Sequence, residues 1–482
     1  MDTNFISELT RIVGTDGVRA SNAEKHVYAF DAYTLEKQLP GVVVLPRSTE
    51  EVSEIARLCH ARGIAMVPRG AGTGLAGGAT AKDDQVLISM SRMNRILQVD
   101  APNRRLRAQA GAVNIYLTKA AVADGLMYAP DPSSQSVCTL GGNIANNAGG
   151  PHTLKYGVTV NHILGLQMVL ADGTVIETDV DDPGYDLTGV IVGSEGTLGI
   201  VTEATVKLVP APEAVRTLLA PCDTIDRATE LVSAIIAAGI LPAALEMIDR
   251  TILEAVEAAY HLGLPTEAGA VLLIEVDGPE AGIDRQAERI AGICRDLGAL
   301  DVSIASDPQE RAKLWMARKK SIGTIGRLAP SCATQDGVAP RTKLPLVLRE
   351  VAEIASKYNL RIANVFHAGD GNLHPAVLFD ERDPEEVKRV LAAGGEILRA
   401  CVAAGGSLTG EHGIGIEKQE FLDLVFSAED LDAMRAVRTV FNPEGLVNPG
   451  KLFPSGGNCC PHLPRTDNET LLALTRTRAS AV

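Results

Sequence analysis

Two glycine-rich segments in the second half of the chain contain the residue types best suited to chemistry. His367 and His374 flank the sequence AGDGNL, and the segment GEHGIG at 410–415 adds Glu411 and His412. Glycines allow a segment to turn sharply and to present side chains at the turn. Imidazoles and a carboxylate are ligands of zinc, manganese and ferrous iron, and three protein ligands leave positions open for a substrate. The pattern predicts a catalytic metal site; the alternative is that these histidines only cap turns or bond to backbone.

Earlier in the chain, other segments are rich in glycine and poor in large side chains. They are PRGAGTGLAGG at 68–78, APDPSS at 129–134 and LGGNIANNAGG at 140–150. The successive N–H groups of a glycine loop can cradle a pyrophosphate, and Arg69 lies beside this one. Small side chains let the backbone approach a large flat ligand closely. These segments therefore predict a cofactor-binding region.

Residues 72–77 also satisfy the G-x-G-x-x-G pattern of nicotinamide-binding Rossmann units. That fingerprint requires a helix that begins directly at the glycines. Here the chain continues into short strand-like runs at 86–89 and 96–99, without the crossover helix. The pattern therefore disfavours a Rossmann unit, and we expect no activity with NAD.

Hydrophobic periodicity and turn residues indicate the elements around these segments. A strand at 42–46, a capping box from Ser48 to Glu51, a helix at 51–62 and a strand at 64–67 precede the first loop, and Asp172-Gly173 centres a predicted hairpin. After Pro210-Ala-Pro212, strands and helices alternate in an order that predicts a ferredoxin-like sheet with helices on one face. The predicted division is a helical lead-in at 1–37, a first domain at 38–212, a second domain with the metal site at 213–455 and a loose tail at 456–482.

Composition narrows the possible functions further. The 482 residues carry a formal net charge of -15, which disfavours nucleic acid and anionic membranes as partners. No signal peptide and no run of about 18 apolar residues is found, so we expect a cytoplasmic protein without direct membrane insertion. The eight cysteines show no CxxC spacing, so no iron–sulfur motif is indicated. Any electrons that the protein collects must leave through another cofactor or another subunit.

Seven motifs together resemble one family. PRGAGTGLAGG, APDPSS, GGNIANNAGG, GSEGTLGIVTE, HAGDGNLHP, GEHGIG and NPGK occur in the order typical of the FAD-linked 2-hydroxyacid dehydrogenases of the vanillyl-alcohol-oxidase type. The resemblance extends over about residues 20 to 455 and is strongest to the glycolate oxidase D-subunit branch, with D-lactate and D-2-hydroxyglutarate dehydrogenases nearby. It implies an α+β protein with a vanillyl-alcohol-oxidase-type FAD-binding domain and a ferredoxin-like substrate domain.

The resemblance also implies roles for individual residues. The family's metal ligands match His367, His374 and Glu411, and its catalytic histidine matches His412. The substrate carboxylate would be bound by Arg318 or by Arg341, and Asn372 is placed to touch the substrate; alternatively, residues 318–320 are a solvated helix face and Asn372 only stabilises its turn. The residues that match flavin contacts are Arg69, Gly70, Ala71, Gly72, Thr73, Gly74, Pro130, Asp131, Ser133, Ser134, Gly141, Gly142, Asn143, Gly196, Gly199, Ile200 and Val201.

The activity that the resemblance implies is oxidation of glycolate, or another short D-2-hydroxy acid, to the 2-oxo acid. A metal (Zn, Mn or Fe) would acidify the substrate hydroxyl, His412 would accept its proton, and the α-hydrogen would pass as hydride to FAD. The FAD is expected to be non-covalent, because Thr73 stands about where some relatives attach the flavin through a histidine. Electrons would pass to an iron–sulfur partner subunit or a quinone-linked acceptor, at the inner face of the membrane if partners hold the protein there. The alternatives are a D-lactate dehydrogenase and a non-catalytic FAD electron-transfer subunit.

Overall fold

The computed structural model describes residues 1–454, so Cys459, Cys460 and the tail expected from 456 lie outside the described part. The chain forms two compact units. Among the described residues, the first contains 1–148, 158–211 and 411–454, and the second contains 149–157 and 212–410. The predicted domains were the continuous ranges 38–212 and 213–455. The contacts group the chain differently, because residues 149–157 pack with the second unit and residues 411–454 pack with the first.

Residues 1–454 contain fourteen α-helices. In chain order they are α1 (Thr3–Val13), α2 (Asn22–Lys25), α3 (Thr49–Ala61), α4 (Asn114–Ala121), α5 (Leu140–Asn146), α6 (Thr153–Tyr156), α7 (Leu187–Ile191), α8 (Ile225–Ala237), α9 (Arg250–Tyr260), α10 (Ile283–Asp296), α11 (Pro308–Ile325), α12 (Leu344–Lys357), α13 (Pro384–Ala403) and α14 (Ala428–Phe441).

The strands alternate with these helices along the chain. They are β1 (Val18–Arg19), β2 (Val42–Val44), β3 (Met66–Arg69), β4 (Val86–Ser89), β5 (Ile96–Asp100), β6 (Arg105–Gln109), β7 (Leu126–Met127), β8 (Ile163–Val169), β9 (Val175–Asp179), β10 (Ile200–Lys207), β11 (Val209–Pro210), β12 (Ala214–Cys222), β13 (Ala244–Asp249), β14 (Ala270–Gly278), β15 (Ser303–Ile304), β16 (Ser331–Thr334), β17 (Arg361–His367) and β18 (Pro375–Phe379).

In the first unit, a four-stranded sheet in the order β1-β2-β4-β3 supports the first glycine loop. Strands β2, β4 and β3 are parallel, and α1 and α3 bury apolar residues against them. Helix α3 begins after Ser48, whose hydroxyl accepts from the Glu51 N–H. The Glu51 carboxylate accepts from the Arg47 N–H, so only the Ser48 half of the predicted capping box is present. The glycine loop lies between β3 and β4, and no α-helix occurs there, which confirms the rejection of a Rossmann unit.

A five-stranded antiparallel sheet, in the order β5-β6-β10-β8-β9, completes most of the first unit. Strands β8 and β9 pair across Asp172-Gly173, as the hairpin prediction expected. The glycine-rich run at 140–150 begins with α5. Thr139 makes this possible, because its side chain accepts from the Gly142 N–H and caps the helix.

The second unit is built on a seven-stranded antiparallel sheet in the order β15-β12-β14-β13-β17-β18-β16. Its first four strands lie in the spatial order fourth, first, third, second, which is the ferredoxin-like arrangement and confirms that prediction. The expectation of helices on one face was wrong. Helices α9 and α11 pack on one face, yet every residue of β13 is buried, so the other face is covered as well.

Within residues 1–454, no helix is both long enough and apolar enough to span a lipid bilayer.

Candidate active site

A tight hairpin between β17 and β18 positions His367 and His374. His367 ends β17, Pro375 begins β18, and His367 forms an isolated β-bridge with Asn372 inside the turn. Gly371 has a φ of 76°, and a Cβ there would overlap the carbonyl oxygen of Ala339. Only glycine satisfies both conditions, so the AGDGNL sequence is the local reason for this turn.

The two imidazoles of this hairpin are arranged as a pair of ligands. Both side chains are buried, their ring centroids are 5.1 Å apart, and the ring planes meet at 84°. Their ligand nitrogens lie within 4.8 Å of one another. Two nitrogen donors at this spacing fit a zinc, manganese or ferrous ion, so the residues present in the second unit fit the expected metal.

Behind His367 lies a buried carboxylate that sequence reasoning missed. Glu246 on β13 pairs directly with His367 on β17, and its Oε1 is 2.7 Å from His367 Nδ1. Its Oε2 accepts from Arg318 Nε at 2.5 Å. Burial opposes ionisation of Glu246, but the charges and hydrogen bonds of His367 and Arg318 hold its pKa below the ordinary value. Glu246 is therefore an ionised acceptor that joins two predicted site residues.

Arg318 lies on α11 and is 3% exposed, whereas the neighbouring Lys319 and Lys320 are exposed. The solvated-face interpretation therefore holds for the two lysines and not for Arg318. The ion pair with Glu246 engages Nε of the guanidinium. Binding of a substrate carboxylate by Arg318 stays a prediction.

A second buried carboxylate, Asp336, stands behind His374. Its Oδ1 is 3.5 Å from His374 Nε2, and its Oδ2 accepts from the Thr409 hydroxyl and from the Gly410 N–H. Carboxylates of this kind orient metal-ligating imidazoles. The Asp336-Gly337 pair is visible in the sequence, but nothing there indicates which side chain it faces.

Asn372 and Arg341 lie at the same hairpin. Asn372 is buried, and its Oδ1 has no hydrogen-bond partner among residues 1–454. Arg341 is partly buried, and its Nη1 donates to the carbonyl oxygen of Gly369 at 3.0 Å. The second unit thus brings Arg318, Arg341, Asn372, His367 and His374 to one end of its sheet, and the substrate roles of the first three stay predictions.

Glu411 and His412 belong to the first unit, where two of the predicted flavin motifs hold their loop. Asn146 Nδ2 donates to the carbonyl oxygen of His412 at 2.7 Å. Glu195 accepts from the Ile414 and Gly415 N–H groups, each at 2.7 Å. Burial raises the pKa of Glu195, and these two N–H groups oppose the shift. Sequence reasoning assigned the GSEGTLGI motif to the flavin but did not identify Glu195 as the residue that holds this loop.

Hydrogen bonds of a buried arginine hold the first glycine loop in the first unit. Arg69 is buried and donates from Nη2 to the carbonyl oxygen of Phe30 at 2.9 Å and from Nη1 to that of Ala79 at 3.3 Å. These bonds hold the loop ends, and contact of Arg69 with a phosphate stays a prediction. A Cβ at Gly70 would overlap Thr139 Oγ1, whereas one at Gly74 would have no neighbour closer than 3.9 Å.

Two further observations fit a large cofactor in this unit. Asn143 Nδ2 is buried and has no hydrogen-bond partner among residues 1–454, as expected of a donor that awaits a ligand. Lys451 donates to the carbonyl oxygen of Thr80 at 2.7 Å, and burial lowers its pKa to about 8. The other predicted flavin contacts also lie in the first unit; they are Ala71, Gly72, Thr73, Pro130, Asp131, Ser133, Ser134, Gly141, Gly142, Gly196, Gly199, Ile200 and Val201.

Comparison with protein families identifies both parts of the chain. Residues 211–452 match the family described as FAD linked oxidases, C-terminal domain, and residues 40–179 match the FAD binding domain. The chain is 44% identical to the glycolate oxidase subunit GlcD of Escherichia coli (strain K12), over 90% of this chain and 87% of the relative. It is 42% identical to the subunit GlcD of Bacillus subtilis (strain 168), over 92% and 96%.

More distant proteins share the same architecture. A D-lactate dehydrogenase of Anaerostipes hadrus is 33% identical over 86% of this chain and 90% of the relative. Among solved structures, 4-ethylphenol oxidase from Gulosibacter chungangensis superposes with a TM-score of 0.78 at 18% identity, covering 94% of this chain and 97% of the other. p-Cresol methylhydroxylase superposes with a TM-score of 0.78 at 16% identity, covering 93% and 96%. These two superpositions confirm the expected fold.

Proposed function

Because this chain belongs to the family of FAD-linked oxidases, we propose that it oxidises glycolate to the corresponding 2-oxo acid with FAD as its bound cofactor. The observation that carries the proposal is the identity of 42 to 44% to two glycolate oxidase subunits over at least nine-tenths of this chain. The residues that such chemistry requires are all present in the sequence: two histidines with a carboxylate for a metal, a further histidine for the proton, and arginines for the substrate carboxylate.

FAD, when bound, supplies the acceptor for the hydride that leaves the substrate α-carbon. The glycine loop from Arg69 to Gly74, the segment around Asn143 and the residues from Gly196 to Val201 are proposed to hold it without a covalent link. Support comes from the braced glycine loop and from the buried, unpartnered Nδ2 of Asn143.

The metal is proposed to bind His367, His374 and Glu411. When present, it would chelate the hydroxyl and one carboxylate oxygen of a 2-hydroxy acid and lower the pKa of the hydroxyl. The crossed, buried imidazoles of His367 and His374 support two of these ligands. Glu411 is proposed from the motif, and it follows directly on Gly410, whose N–H is bonded to Asp336.

The side chains of the protein bind, orient and deprotonate the substrate in this proposal. Arg318 or Arg341 binds the substrate carboxylate, which also offsets the net charge of -15 that would repel an anion. His412 accepts the hydroxyl proton, and the hydrogen bond from Asn146 to its carbonyl oxygen fixes its backbone. Asn372 is proposed to contact the substrate, because its buried Oδ1 lacks a partner among the described residues.

D-lactate is the main alternative substrate, since a D-lactate dehydrogenase is among the relatives. One methyl group separates the two acids, and discrimination of that size is worth only about 1 to 3 kcal/mol. A non-catalytic role in electron transfer is disfavoured, because the complete set of His367, His374, Glu411 and His412 would then serve no purpose.

An electron-accepting partner is part of the proposal. The two most similar relatives reported above are named as subunits, and no CxxC motif for an iron–sulfur cluster occurs in this chain. We propose an iron–sulfur subunit or a quinone-linked acceptor, with the enzyme in the cytoplasm or held by partners at the inner face of the membrane.

Anaerobic reduction of the flavin tests this function. Glycolate, D-lactate or D-2-hydroxyglutarate is added to the purified protein while the flavin absorbance is recorded, alongside a chelator-treated sample and His412→Ala. We expect glycolate to bleach the flavin fastest, and both controls to lose the reaction. A bound flavin that none of the three acids reduces would contradict the proposal for the isolated chain.

A further inference from the structure

Two carboxylates on neighbouring strands of the second unit receive arginines from the same helix. Glu246 on β13 bonds Arg318, and Glu275 on β14 bonds Arg311. Both arginines lie on α11, seven residues apart, which places them on one face of that helix. The two ion pairs resemble each other in chemistry, but only that of Glu246 also contacts a predicted metal ligand.

The contacts of Glu246 determine how His367 presents its ring. The Glu246 carboxylate accepts from the Arg318 guanidinium through Oε2, and it acts as an acceptor toward His367 as well, so the Nδ1 atom that lies 2.7 Å from Oε1 donates that hydrogen bond. The remaining nitrogen, Nε2, then keeps its lone pair for a metal. Because His367 and Glu246 are directly opposed on adjacent antiparallel strands, the register of the sheet maintains this orientation.

The other oxygen of Glu246 determines how Arg318 presents its guanidinium. Oε2 accepts from Nε at 2.5 Å, which is the inner edge of the guanidinium fork. A carboxylate bound at Nε leaves donors on both Nη atoms, and a planar fork can offer these to a second carboxylate. Glu246 and Arg318 are 0% and 3% exposed, so water does not screen the pair.

We propose that Glu246 is a positioning residue that couples the proposed metal ligand His367 to Arg318, one of the two arginines proposed to bind the substrate carboxylate. This inference rests on the proposed function. One carboxylate sets the tautomer of the ligand and the orientation of the arginine, so metal affinity and affinity for the substrate carboxylate depend on the same side chain. Outer carboxylates that orient a metal-ligating histidine commonly contribute about 10- to 100-fold to metal affinity.

The test uses Glu246→Gln and Glu246→Asp, with Glu275→Gln as the matched control. In the glutamine variant, the amide oxygen accepts from one partner while the amide NH₂ faces the other donor. The aspartate variant keeps the charge that compensates Arg318, but it is one methylene shorter and cannot reach both partners. Glu275 is a buried carboxylate on the same sheet that also accepts hydrogen bonds from an arginine, so Glu275→Gln removes a comparable charge. It does not alter the contacts of His367 or Arg318.

Binding of Zn²⁺ to metal-stripped, FAD-loaded protein is measured by calorimetry, together with kcat and KM for glycolate in a dye-linked assay. We expect Zn²⁺ affinity to fall by about 10- to 100-fold in Glu246→Gln and by less in Glu246→Asp, with an increase in KM in both. Glu275→Gln should bind Zn²⁺ as the unchanged protein does. If Glu246→Gln does not fold, Glu246→Asp decides the question.

The inference would be overturned if Glu246→Asp bound Zn²⁺ as tightly as the unchanged protein does and had the same KM for glycolate. It would also be overturned if the unchanged protein bound no Zn²⁺. Failure of the proposed function gives a different result. In that case the unchanged protein binds Zn²⁺ and the Glu246 variants weaken that binding, but glycolate does not reduce the flavin. Loss of Zn²⁺ affinity in the Glu246 variants therefore supports the positioning role independently of the substrate.

Discussion

At the scale of single residues, two buried asparagines of the second unit differ in what surrounds them. The Oδ1 atoms of Asn364 and Asn372 both lack a hydrogen-bond partner among residues 1–454. The N–H and Nδ2 of Asn364 donate to Asp249 at 2.6 and 3.1 Å, which ties β17 to the start of α9. Asn372 instead lies in the turn between His367 and His374. A buried, unpaired acceptor costs about 1 to 3 kcal/mol. The cost applies to both residues, but only Asn372 lies between the two predicted metal ligands, so we infer that its Oδ1 serves a ligand.

Replacement of these two residues should separate function from stability. We expect Asn372→Ala to lower kcat/KM for glycolate by about tenfold or more, equivalent to at least about 1.4 kcal/mol, with little change in melting temperature. Asn364→Ala should lower the melting temperature, because it removes the side-chain bond to Asp249, and should leave kcat/KM unchanged. Steady-state kinetics and thermal unfolding of both variants provide the measurement. Equal losses of stability in the two variants, without loss of activity in Asn372→Ala, would contradict this assignment.

Some candidate site residues stand out in the sequence and others do not, for a physical reason. Glycine-rich segments, whose turns present polar side chains for binding or catalysis, contain His367, His374, Glu411 and His412. Glu246 stands between apolar residues in the strand ALEMID, where the sequence gives no indication of its partner. Its role depends on the register between β13 and β17, which brings together residues 121 positions apart. Pairing of that kind is not encoded in any local pattern.

At the scale of elements, one face of α11 contacts both the seven-stranded sheet and residues 149–157, the short segment that belongs to the second unit. Arg311, Trp315 and Arg318 recur at helical spacing, and the first two donate to Glu275. Thr217 donates to the same carboxylate. His152, from the segment 149–157, stacks on Trp315, and its Nε2 lies 3.2 Å from Glu275 Oε1. Burial opposes ionisation of Glu275, but the hydrogen bonds from His152 and Arg311 lower its pKa from 4.5 to about 2. This cluster predicts a pH-dependent contribution to stability.

Glu275→Gln should reveal that contribution. The folded-state pKa lies below the unfolded value, so the ionised carboxylate stabilises the fold above about pH 4.5, and this stabilisation is lost as the pH falls toward 2. The shift corresponds to about 3 kcal/mol. We expect the variant to melt at a lower temperature than the unchanged protein at pH 7, and the difference to shrink between pH 4.5 and pH 3. Melting curves at several pH values measure it; a difference that does not vary with pH would contradict the role of the charge.

The loop at 411–415 is a second element whose position depends on one carboxylate. In Glu195→Gln, one of the two N–H groups of Ile414 and Gly415 would face an amide NH₂ instead of an acceptor. We expect faster hydrogen exchange at these two amides and slower flavin reduction by glycolate, because His412 lies two residues before Ile414 in the same loop. Glu203→Gln is the control, since Glu203 pairs with Arg107 on an exposed part of the neighbouring strands. Unchanged exchange at Ile414 and Gly415 would show that Glu195 does not hold the loop.

At the scale of the whole molecule, the predicted flavin contacts and the two histidines proposed as metal ligands lie in different units. The predicted flavin residues all belong to the first unit, and His367 and His374 belong to the second. We expect treatment with a chelator to abolish reduction by glycolate without releasing FAD, because the flavin-binding residues would keep their contacts. Absorbance of the protein after chelation and gel filtration measures retained flavin, and added Zn²⁺ or Mn²⁺ should restore reduction. Loss of flavin together with the metal would contradict this separation.

The overall architecture was predictable to a larger extent than the path of the chain. Alternating strands and helices after Pro212 indicated the ferredoxin-like sheet, and missing helical periodicity between 70 and 85 excluded a Rossmann unit. The return of residues 411–454 to the first unit was not predictable, because the contacts that fix it join residues far apart in the sequence. Asn448, for example, donates to the carbonyl oxygen of Gly78 across 370 positions and to that of Glu195 across 253.

The interrupted first unit has a consequence for synthesis on the ribosome. Residues 1–211 emerge first, but the nascent chain must then produce the whole of 212–410 before residues 411–454 can join them. During that interval, Met66 lacks its β-bridge to Val447, and Gly78 and Glu195 lack the amide of Asn448. The second unit, whose long segment is continuous, can complete its sheet in the meantime. The order of translation thus favours a folded second unit before the first unit gains its last segment.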